Sequence, residues 1–86
     1  MFEEHDRVVL TGDIHDGKLK TGDVGTIVHV YSRRDAFEVE FLALDGHSAA
    51  LATVLASQVR PVAPTDLTHA RPLPGGGRAE FDVAEG

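Results

Sequence analysis

Apolar and polar residues alternate with a period of two along much of residues 1–62, the pattern of β-strands that bury one face. The clearest example is the segment AFEVEFL, in which Phe37, Val39 and Phe41 alternate with Glu38 and Glu40. We expect the three apolar side chains to face the core and the two glutamates to face outward.

The same pattern, with turn-forming residues between the segments, predicts five strands and one short 3₁₀ or helical turn. The strands are Asp6–Thr11, Val24–Tyr31, Ala36–Leu42, Ala49–Leu55 and Val59–Val62, with the turn at Ala56–Gln58. Pro61 cannot donate a backbone hydrogen bond, so the last strand is expected at an edge or a terminus.

The stretch Leu19–Tyr31 is expected to organise the fold, because it is a turn followed by the longest β-branched run of the chain. Both faces of its strand, Val24–Tyr31, are largely apolar. A strand of this kind is usually bent and serves the core first with one face and then with the other. Gly25 is expected to mark either a β-bulge or a close backbone approach. Ile14 and Leu19 are predicted to pin the long preceding loop to the core.

Tight turns at Ser32–Asp35 and Asp45–Gly46 predict two hairpins. Five short strands, a long first loop, two hairpins and a 3₁₀ turn before the last strand predict an all-β fold. We expect a small five-stranded SH3-like barrel over residues 1–63, since closing a small sheet removes most of its free edges.

Residues 64–86 differ in composition, since prolines and the run Gly75–Gly77 disfavour regular structure. They are predicted to form an extended Pro/Gly-rich tail that is either flexible or bound to a partner. Near its end, Phe81 and Val83 alternate with acidic residues. This pattern predicts a segment that adds as a strand to the sheet edge of a partner, with a disordered solubilising tail as the alternative.

The 86 residues carry 8 Lys plus Arg against 14 Asp plus Glu, a formal net charge of −6, and no cysteine. The charge counts against nucleic acid, whose binders are normally basic. It fits a basic protein partner, although ordinary solubility would also explain it. No apolar run has the length of a signal peptide or a membrane helix. We therefore expect a cytoplasmic protein that does not contact the membrane.

No catalytic, metal-binding or cofactor-binding constellation is evident in the sequence. The five histidines do not stand at ligand spacing. Glu38 and Glu40 share a face, but Arg33 and Arg34 on the adjacent hairpin favour cross-strand ion pairs over acid–base chemistry. We expect neither an enzyme nor a cofactor.

Candidate partner-binding residues are therefore aromatic and charged side chains of the hairpin that joins Val24–Tyr31 to Ala36–Leu42, together with two apolar side chains of the tail. They are Tyr31, Arg33, Arg34, Glu38, Glu40, Phe81 and Val83.

The segments DRVVLTGDI, LKTGDVGTIVHVY, FEVEF, LDGHSAALATV and ASQVRPV follow one another in this order. Over residues 2–62 the chain resembles a family of small bacterial proteins catalogued as domain of unknown function 4926. The resemblance implies an SH3-like fold and no assigned catalytic residue. It also implies a stand-alone protein, some of whose relatives look like partners or antidotes encoded beside toxin-like proteins. A weaker likeness, through Gly22–Gly25, is to the KOW-type SH3-like modules of ribosomal and transcription proteins, which tend to be basic.

These observations lead to three hypotheses. The first is a non-enzymatic protein-binding module, an antidote- or immunity-type partner of a neighbouring bacterial protein. The second is a KOW-like module on RNA or the ribosome, and the third is an accessory subunit of a larger enzyme.

Overall fold

The computed structural model of the chain describes residues 2–73 and 79–81, so the predicted binding residue Val83 lies outside the described residues. The described chain forms one sheet, with strands β1 to β6 and a 3₁₀ turn between β4 and β5. The strands are β1 Arg7–Leu10, β2 Val24–Val30, β3 Ala36–Leu42, β4 Ser48–Leu55, β5 Val59–Pro61 and β6 Ala79–Phe81, and the turn is Ala56–Gln58.

The order of the strands in the sheet is β5-β1-β2-β3-β4-β6. The first five strands in the sequence pair antiparallel throughout, and the 3₁₀ turn precedes the fifth. The predicted all-β fold is therefore confirmed. The return of β5 to the side of β1 is compatible with an SH3-like barrel, although no ladder closes the sheet among the described residues.

The core lies on one face of this sheet and follows the alternation of apolar and polar residues in the sequence. In β3, Phe37 and Val39 are at most 1% exposed, whereas Glu38 and Glu40 are half-buried on the other face. Ile14 and Leu19 of the first loop are both buried and pair with each other through an isolated bridge. The prediction that they pin the loop to the core is confirmed.

Strand β2 bends, but the irregularity lies three residues beyond Gly25. The register with β3 shifts between Ile27 and His29, which leaves Val28 as an extra residue that is 41% exposed. A β-bulge reverses which residues face inward. Ile27 is therefore buried before the bulge, and Val30 packs against the core after it.

Gly25 instead marks the close backbone approach, which was the other expectation for this position. A Cβ placed there would overlap Cγ1 of Val39 and lie 3.0 Å from the carbonyl oxygen of Glu40. Only glycine lets the backbone of β2 come this close to β3.

Residues 63–73 leave β5 and pack beside the β1–β2 loop; we call this segment the strap. Arg60 holds its start through two hydrogen bonds of 2.9 Å to the carboxylate of Asp66. Leu73, at its end, packs against the core. Further on, β6 pairs in parallel with β4 of the same chain. Addition of this strand to the sheet edge of a partner stays a prediction.

Candidate protein-binding surface

Four of the predicted or newly identified surface residues meet on the outer face of β2 and β3. Tyr31 and Glu38 touch, with 3.4 Å between the tyrosine hydroxyl and Oε1 of Glu38. His29 lies opposite Glu38 in the ladder, and its ring meets the ring of Tyr31 edge to face at 4.8 Å. Glu40 lies two residues along the same face of β3. We call His29, Tyr31, Glu38 and Glu40 the outer patch.

The carboxylate of Glu38 is held in place by a buried hydroxyl. Thr53 of β4 is 9% exposed and donates a 2.7 Å hydrogen bond from Oγ1 to Oε1 of Glu38. Thr53 stands directly opposite Glu38 in the β3–β4 ladder, so the register itself creates the contact. Because Oε1 also accepts from Tyr31, the orientation of this carboxylate is fixed before any partner arrives.

The bulge in β2 explains why the aromatic rings belong to this face. Without the extra residue Val28, the alternation would place His29 on the same side as the buried Ile27. With it, His29 is exposed and Tyr31 is 41% exposed.

The two arginines of the hairpin do not join the outer patch. Arg34 has a positive φ of 60°, and its Nη1 donates a 3.4 Å hydrogen bond to the carbonyl oxygen of Phe2. No ion pair among residues 2–73 and 79–81 joins Arg33 or Arg34 to Glu38 or Glu40. The expected cross-strand ion pairs are therefore wrong, because hydroxyl donors hold Glu38 and the arginine turns toward the N-terminal segment.

The remaining predicted residue, Phe81, is the last residue of β6 and stands opposite Ala52 of β4. Strand β4 separates β6 from β3, so Phe81 does not belong to the hairpin that carries Tyr31. The predicted binding residues that the structure describes therefore lie in three separate places: the outer patch, the turn with Arg33 and Arg34, and the edge of β4.

A second cluster, which no sequence pattern indicated, anchors the strap. Arg71 donates from Nε to Oδ1 of Asp23 at 2.9 Å and from Nη2 to Oδ2 at 2.5 Å. Nη2 also donates to the carbonyl oxygen of Lys18, and Nε2 of His69 lies 3.3 Å from Oδ1 of Asp23. The hydrogen bonds to Asp23 raise the pKa of the Arg71 guanidinium above its ordinary value. This arrangement is a structural anchor, since one guanidinium joins the strap to both Asp23 and Lys18 of the β1–β2 loop.

Between the strap and the β3–β4 hairpin lies an open cleft of about 1050 Å³. Leu42, Leu44 and Leu67 line it and are 50%, 79% and 89% exposed.

Within the part of the chain that the structure describes, no three His, Cys, Asp or Glu side chains group closely enough to hold a metal ion. The same residues include no helix with the length and apolar character needed to cross a membrane.

A comparison with protein families finds one whose model matches residues 4–61, described as Domain of unknown function (DUF4926). This span agrees closely with the resemblance read from the sequence. No curated protein and no solved structure matches the chain.

Proposed function

This chain belongs to the DUF4926 family, and from the geometry of its outer patch we propose that it is a non-enzymatic protein-binding module. Its partner would be a basic protein encoded nearby, toward which the chain acts as an antidote- or immunity-type partner or as an accessory subunit.

The observation that carries this proposal is the fixed carboxylate of Glu38 beside an exposed tyrosine ring. Thr53 and Tyr31 both donate to Oε1 of Glu38, and these hydrogen bonds favour one orientation of the side chain. An interface that is ordered beforehand loses less entropy on binding. Tyrosine is enriched at the centres of protein interfaces because its ring buries much area with few rotatable bonds.

The sign of the charge selects the kind of partner. The chain carries a net charge of −6, and Glu38 and Glu40 project from the same face of β3. A basic surface would be steered toward this face, and complementary charge mainly raises the association rate. An acidic module of this kind would cover a basic active-site groove and exclude an anionic substrate from it.

The experiment is co-purification of the full chain with the product of the neighbouring gene, followed by calorimetric titration. Tyr31→Ala is expected to weaken binding by about 2 kcal/mol, roughly 30-fold, as for an interface hot spot. Leu44→Ala, which removes an exposed apolar side chain from the opposite hairpin, is the matched control and should leave affinity unchanged.

The contribution of charge is tested by neutralising one carboxylate at a time. Glu40→Gln should lower the association rate several-fold at low salt, and the difference should shrink at high salt. Asp16→Asn is the control, because it removes one negative charge from an exposed position outside the outer patch. Equal effects of the two variants would contradict a role for this face.

The alternative functions predict different outcomes of the same purification. Retention on RNA at low salt, lost as salt rises, would favour the KOW-like role. Co-purification with an enzyme whose activity depends on this chain would favour the accessory subunit. Failure of the chain to retain any protein would overturn the proposal.

A further inference from the structure

The outer edge of β4 already accepts a strand, and that strand is the chain's own. Ala79, Glu80 and Phe81 of β6 pair in parallel with Ala50, Leu51 and Ala52. Strand β4 is eight residues long, and β6 is three residues long. The described residues of β6 pair with β4 as far as Ala52, and β4 itself extends to Leu55.

We propose that this edge of β4 is the docking site for an extended basic segment of the protein partner, which replaces β6. The inference rests on the proposed function and specifies where and how that partner binds. In the free chain β6 occupies the edge, so binding requires an exchange of one strand for another.

The first argument is the strength of the pairing. Parallel pairs are slightly less stable per residue than antiparallel ones. A partner strand that runs antiparallel along all of Ser48–Leu55 would pair along eight positions of β4, whereas the described residues of β6 pair at three. The chain's own strand has the opposing advantage of being intramolecular, which gives it a high effective concentration. Exchange is therefore favoured only by a longer or better matched segment.

The second argument is electrostatic. In the ladders, Glu80 stands beside Leu51, and Leu51 stands beside Glu40. Neighbouring strands are about 4.8 Å apart, so these two glutamates occupy the same face two strand spacings from each other. A lysine or arginine of a docked strand at the position of Glu80 would place a positive charge on the face that carries Glu40.

The third argument is that the docking edge adjoins the outer patch. Thr53, whose hydroxyl holds Glu38, belongs to β4 itself. Outward basic side chains of a docked strand would therefore lie near both Glu38 and Glu40, and its inward side chains would follow the buried row of β4. The segment that fits alternates basic and apolar residues over about eight positions.

The test uses the full chain and a ten-residue peptide of alternating lysine and valine as the probe. Binding is followed by the amide signals of ¹⁵N-labelled protein. We expect the largest shifts in Ser48–Leu55, with loss of hydrogen-exchange protection at Ala79–Phe81. The same peptide with alternate residues N-methylated, which lacks strand donors, should not bind. A peptide with glutamate in place of lysine should bind at least several-fold more weakly.

Two matched variants isolate the competition by β6. Glu80→Pro and Glu80→Gln remove the same charge, but only proline also removes a backbone donor from the strand. If β6 occupies the edge about 90% of the time, Glu80→Pro should bind the lysine–valine peptide about tenfold more tightly than Glu80→Gln. Unchanged signals from β1 to β3 would establish that both variants keep the fold.

Equal affinity of the two variants, or peptide shifts confined to the hairpin of Tyr31, would overturn this inference. Exchange of β6 between two copies would also overturn it, and would appear as a dimer of the wild-type chain that Glu80→Pro abolishes. If the natural partner binds while the β4 edge stays unperturbed, the proposed function stands and only the docking site is wrong. If the lysine–valine peptide docks on β4 but no natural partner is found, the docking site stands and the proposed function is wrong.

Discussion

Asp23 and Arg71 form a two-pronged ion pair across 48 positions of the chain, with contacts of 2.9 and 2.5 Å. Both side chains are largely shielded from water, at 11% and 19% exposed. Asp23 also accepts a 2.9 Å hydrogen bond from the backbone N–H of Lys20. One carboxylate thus closes the turn before β2 and fastens the strap against it.

Replacing Arg71 with glutamine is expected to lower the free energy of unfolding by about 1–3 kcal/mol, because it leaves a shielded carboxylate without its charged donor. Urea denaturation measures the loss, and hydrogen exchange should localise it to residues 66–73. Lys18→Gln removes the same charge from an exposed side chain and should change stability by less than about 0.5 kcal/mol. Equal losses in the two variants would contradict the anchor.

A methyl group at Gly25 is expected to destabilise the fold by about 1–3 kcal/mol, the usual cost of overpacking. The added Cβ would collide with Val39 and lie 3.0 Å from Cε1 of Phe41. Thermal unfolding of Gly25→Ala tests this. Gly12→Ala is the control, since its added Cβ would have no neighbour within 4 Å. That variant should be neutral or slightly stabilised, and a similar loss in both would refute the close approach.

The start of the strap should loosen at acid pH. Two hydrogen bonds from Arg60 and one from the N–H of Ala63 lower the pKa of Asp66 from 3.8 to about 2. Because the folded-state pKa is depressed, the contribution is present above pH 3.8 and disappears as the pH falls through about 2.

Carboxyl carbon shifts measure this titration directly. In Arg60→Gln the pKa of Asp66 should rise toward 3.8, since its largest hydrogen-bonding contribution is gone. Asp45, whose pKa is lowered by His47, serves as the control within the same sample and should not move. An unchanged midpoint for Asp66 would contradict the role of Arg60.

The two donors to Glu38 are expected to differ in strength. Thr53→Val should cost about 1 kcal/mol of stability, because it removes a buried 2.7 Å hydrogen bond to a carboxylate. Tyr31→Phe removes an exposed 3.4 Å contact and should cost less than about 0.5 kcal/mol. Chemical denaturation of both variants tests this order. A larger loss for Tyr31→Phe would show that the tyrosine, and not Thr53, is the stronger donor to Glu38.

The strands were well predicted from the sequence, because a strand that buries one face alternates apolar and polar residues with a period of two. The sequence also marked Gly25 as either a bulge or a close approach, of which the structure shows the close approach, and it identified Ile14 and Leu19 as buried residues of the first loop. The β-bulge at Val28 was not predicted, because its position depends on how β2 pairs with β3 and not on the sequence of β2 alone. Because both faces of β2 are largely apolar, the sequence pattern looks the same before and after the bulge, where the inward-facing positions change.

The binding surface was only partly predictable for a related reason. Tyr31 and Glu38 were identified as exposed and polar, but Thr53 enters only through the β3–β4 register. The pair of Asp23 and Arg71 joins two segments whose local patterns indicate a turn and a loop. The strand character of Ala79–Phe81 was visible, whereas the edge that receives it was not.

The position of β1 between β2 and β5 also has a consequence for the order of folding. Strands β2, β3 and β4 follow one another through two hairpins, but Val9 pairs with Arg60 across about 50 residues. We expect the three central strands to assemble before the rate-limiting barrier and β5 to join β1 after it. Val39→Ala should therefore slow refolding in stopped-flow experiments, whereas Val59→Ala should mainly accelerate unfolding. If Val39→Ala instead mainly accelerated unfolding and Val59→Ala slowed refolding, the pairing of β5 with β1 would form before the rate-limiting barrier.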